Sequence, residues 1–191
     1  MTSSYVVKNA AVGLGVGAVW GVAARVWMRL ITTEHPEFSW SGTLGIVIAA
    51  AVAGLAMGGV RGARLAHGSR WWRLLFVLAL PLAIAPQGIL AFLPAYLLGG
   101  LALAGRVAPP WRWALAAATA AMPVVFAFLV MTEVDRLGLP LPTFIAGLWI
   151  LQLGQAVGGA ELFRRWPPRE ERALPRRQPT GGLTRPGLTR A

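Results

Sequence analysis

The chain contains no cysteine, which excludes disulfides, thiolate metal sites, covalent haem attachment and cysteine nucleophiles. Charge is scarce as well. Only 13% of its 191 residues are Asp, Glu, Lys or Arg, against about 25% in an ordinary soluble domain. Acids are the rarer sign, seven against 18 Lys and Arg, so the net charge is +11. Two histidines occur, His35 and His67, in loops expected on opposite faces of a membrane, so they cannot share a metal. No HExxH, GxSxG or P-loop pattern is present. Ser41-Gly42 faintly resembles an intramembrane serine nucleophile, but no histidine lies in any apolar run to serve as its base. These absences argue against an enzyme and against any cofactor or metal site. A basic patch with interleaved aromatics is missing too, so no nucleic-acid partner is expected.

Apolar residues are what the chain has instead: 56% are hydrophobic and mean hydropathy is +0.60. Runs near the ~20 residues that cross a bilayer place it among all-α integral membrane proteins. The first span is expected from about residue 6 to 31. Its start imitates a signal peptide, but apolar character resumes after Arg25, which reads as an uncleaved span. Further spans are expected at 42–60, 114–132 and 139–163.

The run from Leu74 to Gly105 carries no charge. As one straight helix it would measure about 48 Å, too long for the ~30 Å hydrocarbon core. Ala85-Pro86-Gln87-Gly88 at its centre is a turn signal. A hairpin there puts Lys8, the Arg61–Arg73 loop, Arg106, Arg112 and the basic tail on one face, as the positive-inside rule favours. The expectation is six spans with both termini inside. The third and fourth are short, and a re-entrant hairpin stays open as an alternative. Residues 1–163 form the polytopic helical domain. Residues 164–191 form a disordered basic cytoplasmic tail, with eight arginines, two glutamates and Gly-Leu-Thr-Arg repeated at 182–185 and 187–190. Such a tail buries too little apolar surface to fold alone, and it suits an anionic lipid surface.

Three groups of candidate site residues follow. At the outer end of the first span, Arg25 and Arg29 meet a loop holding Glu34 and Glu37, and Glu133 and Asp135 reach the same surface. An ion-pair cluster clipping the loops over the helix ends is expected. Gly13, Gly17 and Gly21 form one row at four-residue spacing, Gly54, Gly58 and Gly62 a second, and Gly154 with Gly158 a third. Glycines on one face let helices approach closely, so spans one and two are expected to pack tightly on each other or on a partner. Gly13-x-Gly15-x-x-Ala18 also mimics a dinucleotide fingerprint, which fails for want of a preceding strand. Gln87, Gln152 and Gln155, with Thr119, are the polar groups at membrane depth. They read as interhelical hydrogen-bonding groups or as a polar pathway. Glu161 reads as the helical partner of Arg164 and Arg165, and Trp20, Trp27, Trp71, Trp72, Trp111 and Trp113 as interfacial belt residues.

The stretch 29–47, RLITTEHPEFSWSGTLGIV, carries Pro36-Glu37-Phe38-x-Trp40-x-Gly42-Thr43. In this it resembles multi-pass membrane proteins of high-GC Gram-positive bacteria. The resemblance covers about a tenth of the chain, and it implies a plasma-membrane location but no activity. Two readings of function stand. One is a non-catalytic assembly or interaction protein that engages lipid, a membrane-protein partner or a second copy of itself. The other is a small channel or transporter with a pathway near the 81–94 hairpin and Gln152.

Overall fold

The structure, a computed structural model, describes residues 2–31, 39–75, 77, 89–130 and 140–166, and these contain helices and turns but no strand. Helix α1 spans Thr2–Leu30 and α2 spans Trp40–Leu65. A single 3-10 turn, Arg70–Trp72, follows. Helix α3 is built from three abutting pieces: α-helical Ile89–Pro94, a π-helical turn Ala95–Gly99, and α-helical Gly100–Ala104. Helices α4, Pro109–Leu129, and α5, Leu141–Phe163, complete the order. Four of these, α1, α2, α4 and α5, are long and apolar enough to cross a membrane. The chain is an all-α membrane protein.

Local chemistry sets the helix ends. Ser39 caps α2 by accepting from the Gly42 amide, satisfying one of the donors a helix start leaves open. At its other end α2 closes with the Gly68 amide on the Ala63 carbonyl (2.7 Å) and the His67 amide on the Arg64 carbonyl (3.1 Å). That paired closure needs a left-handed residue between them, and His67 supplies it with φ at 58°. Pro109 and Pro110 start α4 and Leu141-Pro142 start α5, where a missing N–H costs nothing. Pro94 acts inside α3. It offers no N–H to the preceding turn, and the chain widens into the π turn directly after it.

Contacts among the described residues fix which ends lie together. Val6 touches Gly62, Arg64 pairs with Glu161, and Trp166 reaches Gly68. The start of α1, the end of α2 and the end of α5 therefore share one end, and Arg106 after α3 lies close enough to act on Arg73. We term this the basic end. At the far end Arg25 meets Thr43, and the Trp27 and Phe144 rings lie 5.8 Å apart. Phe92, near the start of α3, packs with Trp27 and Phe144, while Gly100 near its finish lies on Gly159. Helix α3 thus runs from the far half back to the basic end, as the returning arm of the expected hairpin should. At 1.5 Å per residue it is about 24 Å long, short of the ~30 Å core. The outgoing arm and Gln87 lie outside the described residues.

Helix α5 is the central element, with buried residues on several faces from Phe144 to Glu161. The far-half core gathers Ala24, Trp27, Phe92, Ala127, Phe144, Leu148 and Leu151. A second cluster at the basic end joins Val60, Ala63, Tyr96 and Trp166. In lipid, hydrocarbon gains little by leaving one apolar surface for another, so close packing must supply the cohesion. This is why small residues decide the architecture.

Candidate functional site

The seam between α1 and α2 comes first, because it forms the floor of the site. Paired positions step four residues along one helix and three or four back along the other: Asn9 with Gly58, Gly13 with Gly54, Gly17 with Ala50, Gly21 with Val47. The same register continues to Arg25, whose Nε donates to Thr43 Oγ1 at 3.1 Å. A methyl on Gly54 would enter the Gly13 carbonyl and stand 2.9 Å from the Gly17 Cα. The two rows are therefore spent on each other, backbone against backbone.

Helix α5 closes over this seam by a different device. A methyl at Gly147 would collide with the Trp27 ring, one at Gly154 with the Trp20 ring, and one at Gly158 with the Met57 thioether. Two tryptophans seven apart on α1 thus seat on two glycines seven apart on α5. Trp20 also donates its indole N–H to the Leu151 carbonyl at 3.3 Å. The belt expectation is corrected for these two, since Trp27 is buried and Trp20 is wedged between helices. Trp71, Trp111 and Trp113 are exposed near helix ends, whereas Trp72 packs on the basic-end cluster. The remaining α5 glycine, Gly159, lies against the Tyr96 carbonyl and Gly100.

Between α1, α2 and α5 these contacts leave a cavity of about 370 Å³. Gly13, Gly17, Gly54 and Gly58 line its floor, and Trp20 and Gly154 line it toward the far end. Exposed Val12, Val16, Leu153 and Val157 flank its open side. Its polar groups are Asn9, Arg61 and Glu161 toward the basic end and Gln155 deeper in. Gln155 is 4% exposed, and its Oε1 is buried without a hydrogen-bond partner. A buried unsatisfied carbonyl of this kind is costly. A second cavity of about 340 Å³ lies between α3, α4 and α5, where Gln152, Gly99 and Thr119 line it. Gln152 and Gln155 therefore face different cavities, and Gln87 is outside the described residues. Thr119 turns its hydroxyl back on its own helix, donating to the Leu115 carbonyl at 2.8 Å, rather than bridging helices as expected.

The basic rim is a network. Glu161, 8% exposed, receives Arg64 Nη2 at 2.8 Å and Arg164 Nη1 at 2.5 Å. The Arg164 pairing matches the helical spacing of the sequence, but Arg64, ninety-seven residues away, could not be read from it. Arg73 donates to the Arg164 carbonyl at 2.7 Å and places its guanidinium 5.5 Å from the Trp166 ring. Burial chiefly, and then the neighbouring Arg106, Arg70 and Arg64, hold the Arg73 pKa below its ordinary value. Trp166 donates its indole N–H to the Gly68 carbonyl at 2.7 Å. Arg164 and Trp166, assigned to the tail by sequence, are bound to the bundle.

Of the expected outer cluster, Arg25 and Arg29 are half-buried near the end of α1. Glu34, Glu37, Glu133 and Asp135 lie outside the described residues. Among the described residues no three His, Asp or Glu side chains come together as metal ligands do. Compared with protein-family models, with curated proteins and with solved structures, the chain matches none, so the functional reading rests on the geometry above.

Proposed function

We propose that the chain is a non-catalytic membrane assembly or interaction protein that works through its basic end. The observation that supports this reading is the docking of Trp166. Its hydrogen bond to Gly68 and the Arg73 guanidinium near its ring start the arginine-rich tail at the end where Arg61, Arg64, Arg70 and Arg73 already gather. Basic loops face the cytoplasm by the positive-inside rule, which puts both termini inside and makes the plasma membrane the natural home. An anionic leaflet there adds about 1 kcal/mol of attraction per nearby Arg. A membrane-protein partner or a second copy docks on the same face. The test is crosslinking in native membranes, mild purification and mass spectrometry, with a chain ending at Trp166 as comparison. A stoichiometric partner that is lost with the tail supports the proposal. A lone chain in both preparations refutes it.

A second reading, a small channel or transporter, is favoured by one observation. The π turn of α3, which follows Pro94, places Gly99 at the cavity that Gln152 lines. Broken helices of this kind expose backbone carbonyls to a pathway. Gln152→Leu should then abolish flux in reconstituted vesicles while leaving the fold intact. Unchanged flux removes this reading.

A further inference from the structure

The cavity between α1, α2 and α5 has the chemistry of an amphiphile site, and we propose that it binds a single-chain anionic phospholipid, of the lysophosphatidylglycerol kind. Three independent features specify the ligand. The volume, about 370 Å³, is at the small end of the ~300–1,000 Å³ typical of small-molecule sites, which suits one hydrocarbon chain rather than two. The glycine floor and the Val12, Val16 and Val157 walls are apolar and open sideways, where a chain can enter from the bilayer.

Charge orders the ends. Glu161 has its carboxylate held by Arg64 and Arg164, while Arg61 at the rim is exposed and suits a phosphate. About 9 Å deeper along α5 lies the Gln155 Oε1, buried and without a partner. An amide oxygen accepts only, so it asks for a donor from the ligand. A diacyl lipid has esterified the glycerol hydroxyl nearest its chain. A monoacyl lipid keeps that hydroxyl free, close to both phosphate and chain. One chain, one anion and one hydroxyl therefore match the three features together. Trp20, on its glycine seat, marks the far limit of the chain.

The experiment is native mass spectrometry of the full chain in mild detergent, titrated with lysophosphatidylglycerol, lysophosphatidylcholine and diacyl phosphatidylglycerol. Saturable one-to-one binding of the first is expected, at least tenfold tighter than either other lipid. Gln155→Leu should weaken it about tenfold, as loss of one hydrogen bond does. Arg61→Gln should erase the preference over the zwitterionic lipid. Val16→Trp, at an exposed position that lines this cavity, should block binding. Thermal melting of each variant establishes that it is folded. Binding that is not saturable, that is unmoved by Gln155→Leu and Val16→Trp, or that favours the diacyl lipid overturns the proposal.

Discussion

Replacing Gly54 with alanine tests whether the two glycine rows hold the bundle together by backbone contact. The new methyl would lie within the Gly13 carbonyl and 2.9 Å from the Gly17 Cα, where ordinary contact begins near 3.4 Å. Helices α1 and α2 must part by about 1 Å to admit it, and a gap of ~0.5–1 Å forfeits a quarter to a half of each dispersion contact it crosses. Overpacking costs ~1–3 kcal/mol. Because the strain is shared along the whole register from Asn9 to Arg25, the upper end applies. Alanine returns about 0.8–1 kcal/mol of helix propensity, leaving a net loss of about 2 kcal/mol. Gly45 lies on the same helix with nothing near its missing Cβ. There only the propensity remains, and Gly45→Ala should stabilise by about 0.8 kcal/mol. The two substitutions thus have opposite signs, measurable as SDS-induced unfolding in mixed micelles by tryptophan fluorescence. The pair Gly13→Ala with Gly54→Ala should cost less than the sum, since the seam is already parted. Two effects of equal sign would refute the packing argument.

Other consequences are as specific. Glu161→Gln should cost about 2 kcal/mol by stranding Arg64 and Arg164, and adding Arg64→Met should recover part of that in the same unfolding assay. His67→Gly should raise stability by about 1 kcal/mol by relieving a left-handed residue of its side chain, provided that the Schellman closure is kept; a loss would place a role on the imidazole itself. Trp20→Phe should cost about 1 kcal/mol with its hydrogen bond to Leu151, while Trp113→Phe, on an exposed site, should be silent.

The architecture was legible where one helix carries its own explanation. Spacing by four exposed the α1 and α2 rows, because residues four apart share a helix face and glycine has no other reason to recur there. Run length and flanking charge gave α1, α2, α4 and α5 to within a few residues, and length, the turn signal at 85–88 and loop charge together argued for a hairpin, of which α3 has the place of the returning arm. What stayed hidden depends on two distant segments. The seating of Trp20 on Gly154 and Trp27 on Gly147 needs the order of helices around α5. Its only trace in sequence is the shared spacing of seven, and the same tryptophans satisfy an interfacial reading just as well. The Arg64–Glu161 bond was masked by the nearer Arg164, which already explained the carboxylate. Gln152 and Gln155, three apart, read together as hydrogen-bonding groups or a polar pathway, whereas the neighbouring helices divide them between two cavities.

The π turn at Ala95–Gly99 has a further consequence for how this bundle tolerates change. Such a turn holds one residue more than an α turn, so it rotates everything after it by about 100° relative to an uninterrupted helix. Gly100 meets Gly159 only because of that rotation. The turn therefore behaves as a phase adjuster between two halves of α3, one keyed to Phe92 and the far-half core, the other to α5 at the basic end. Removing one residue, Leu97 or Leu98, should restore plain α winding and, because the turn holds just that one residue in excess, keep the Gly100 face on its groove. Within a regular helix elsewhere in the chain a deletion would re-aim everything after it by about 100°; here the turn would absorb it.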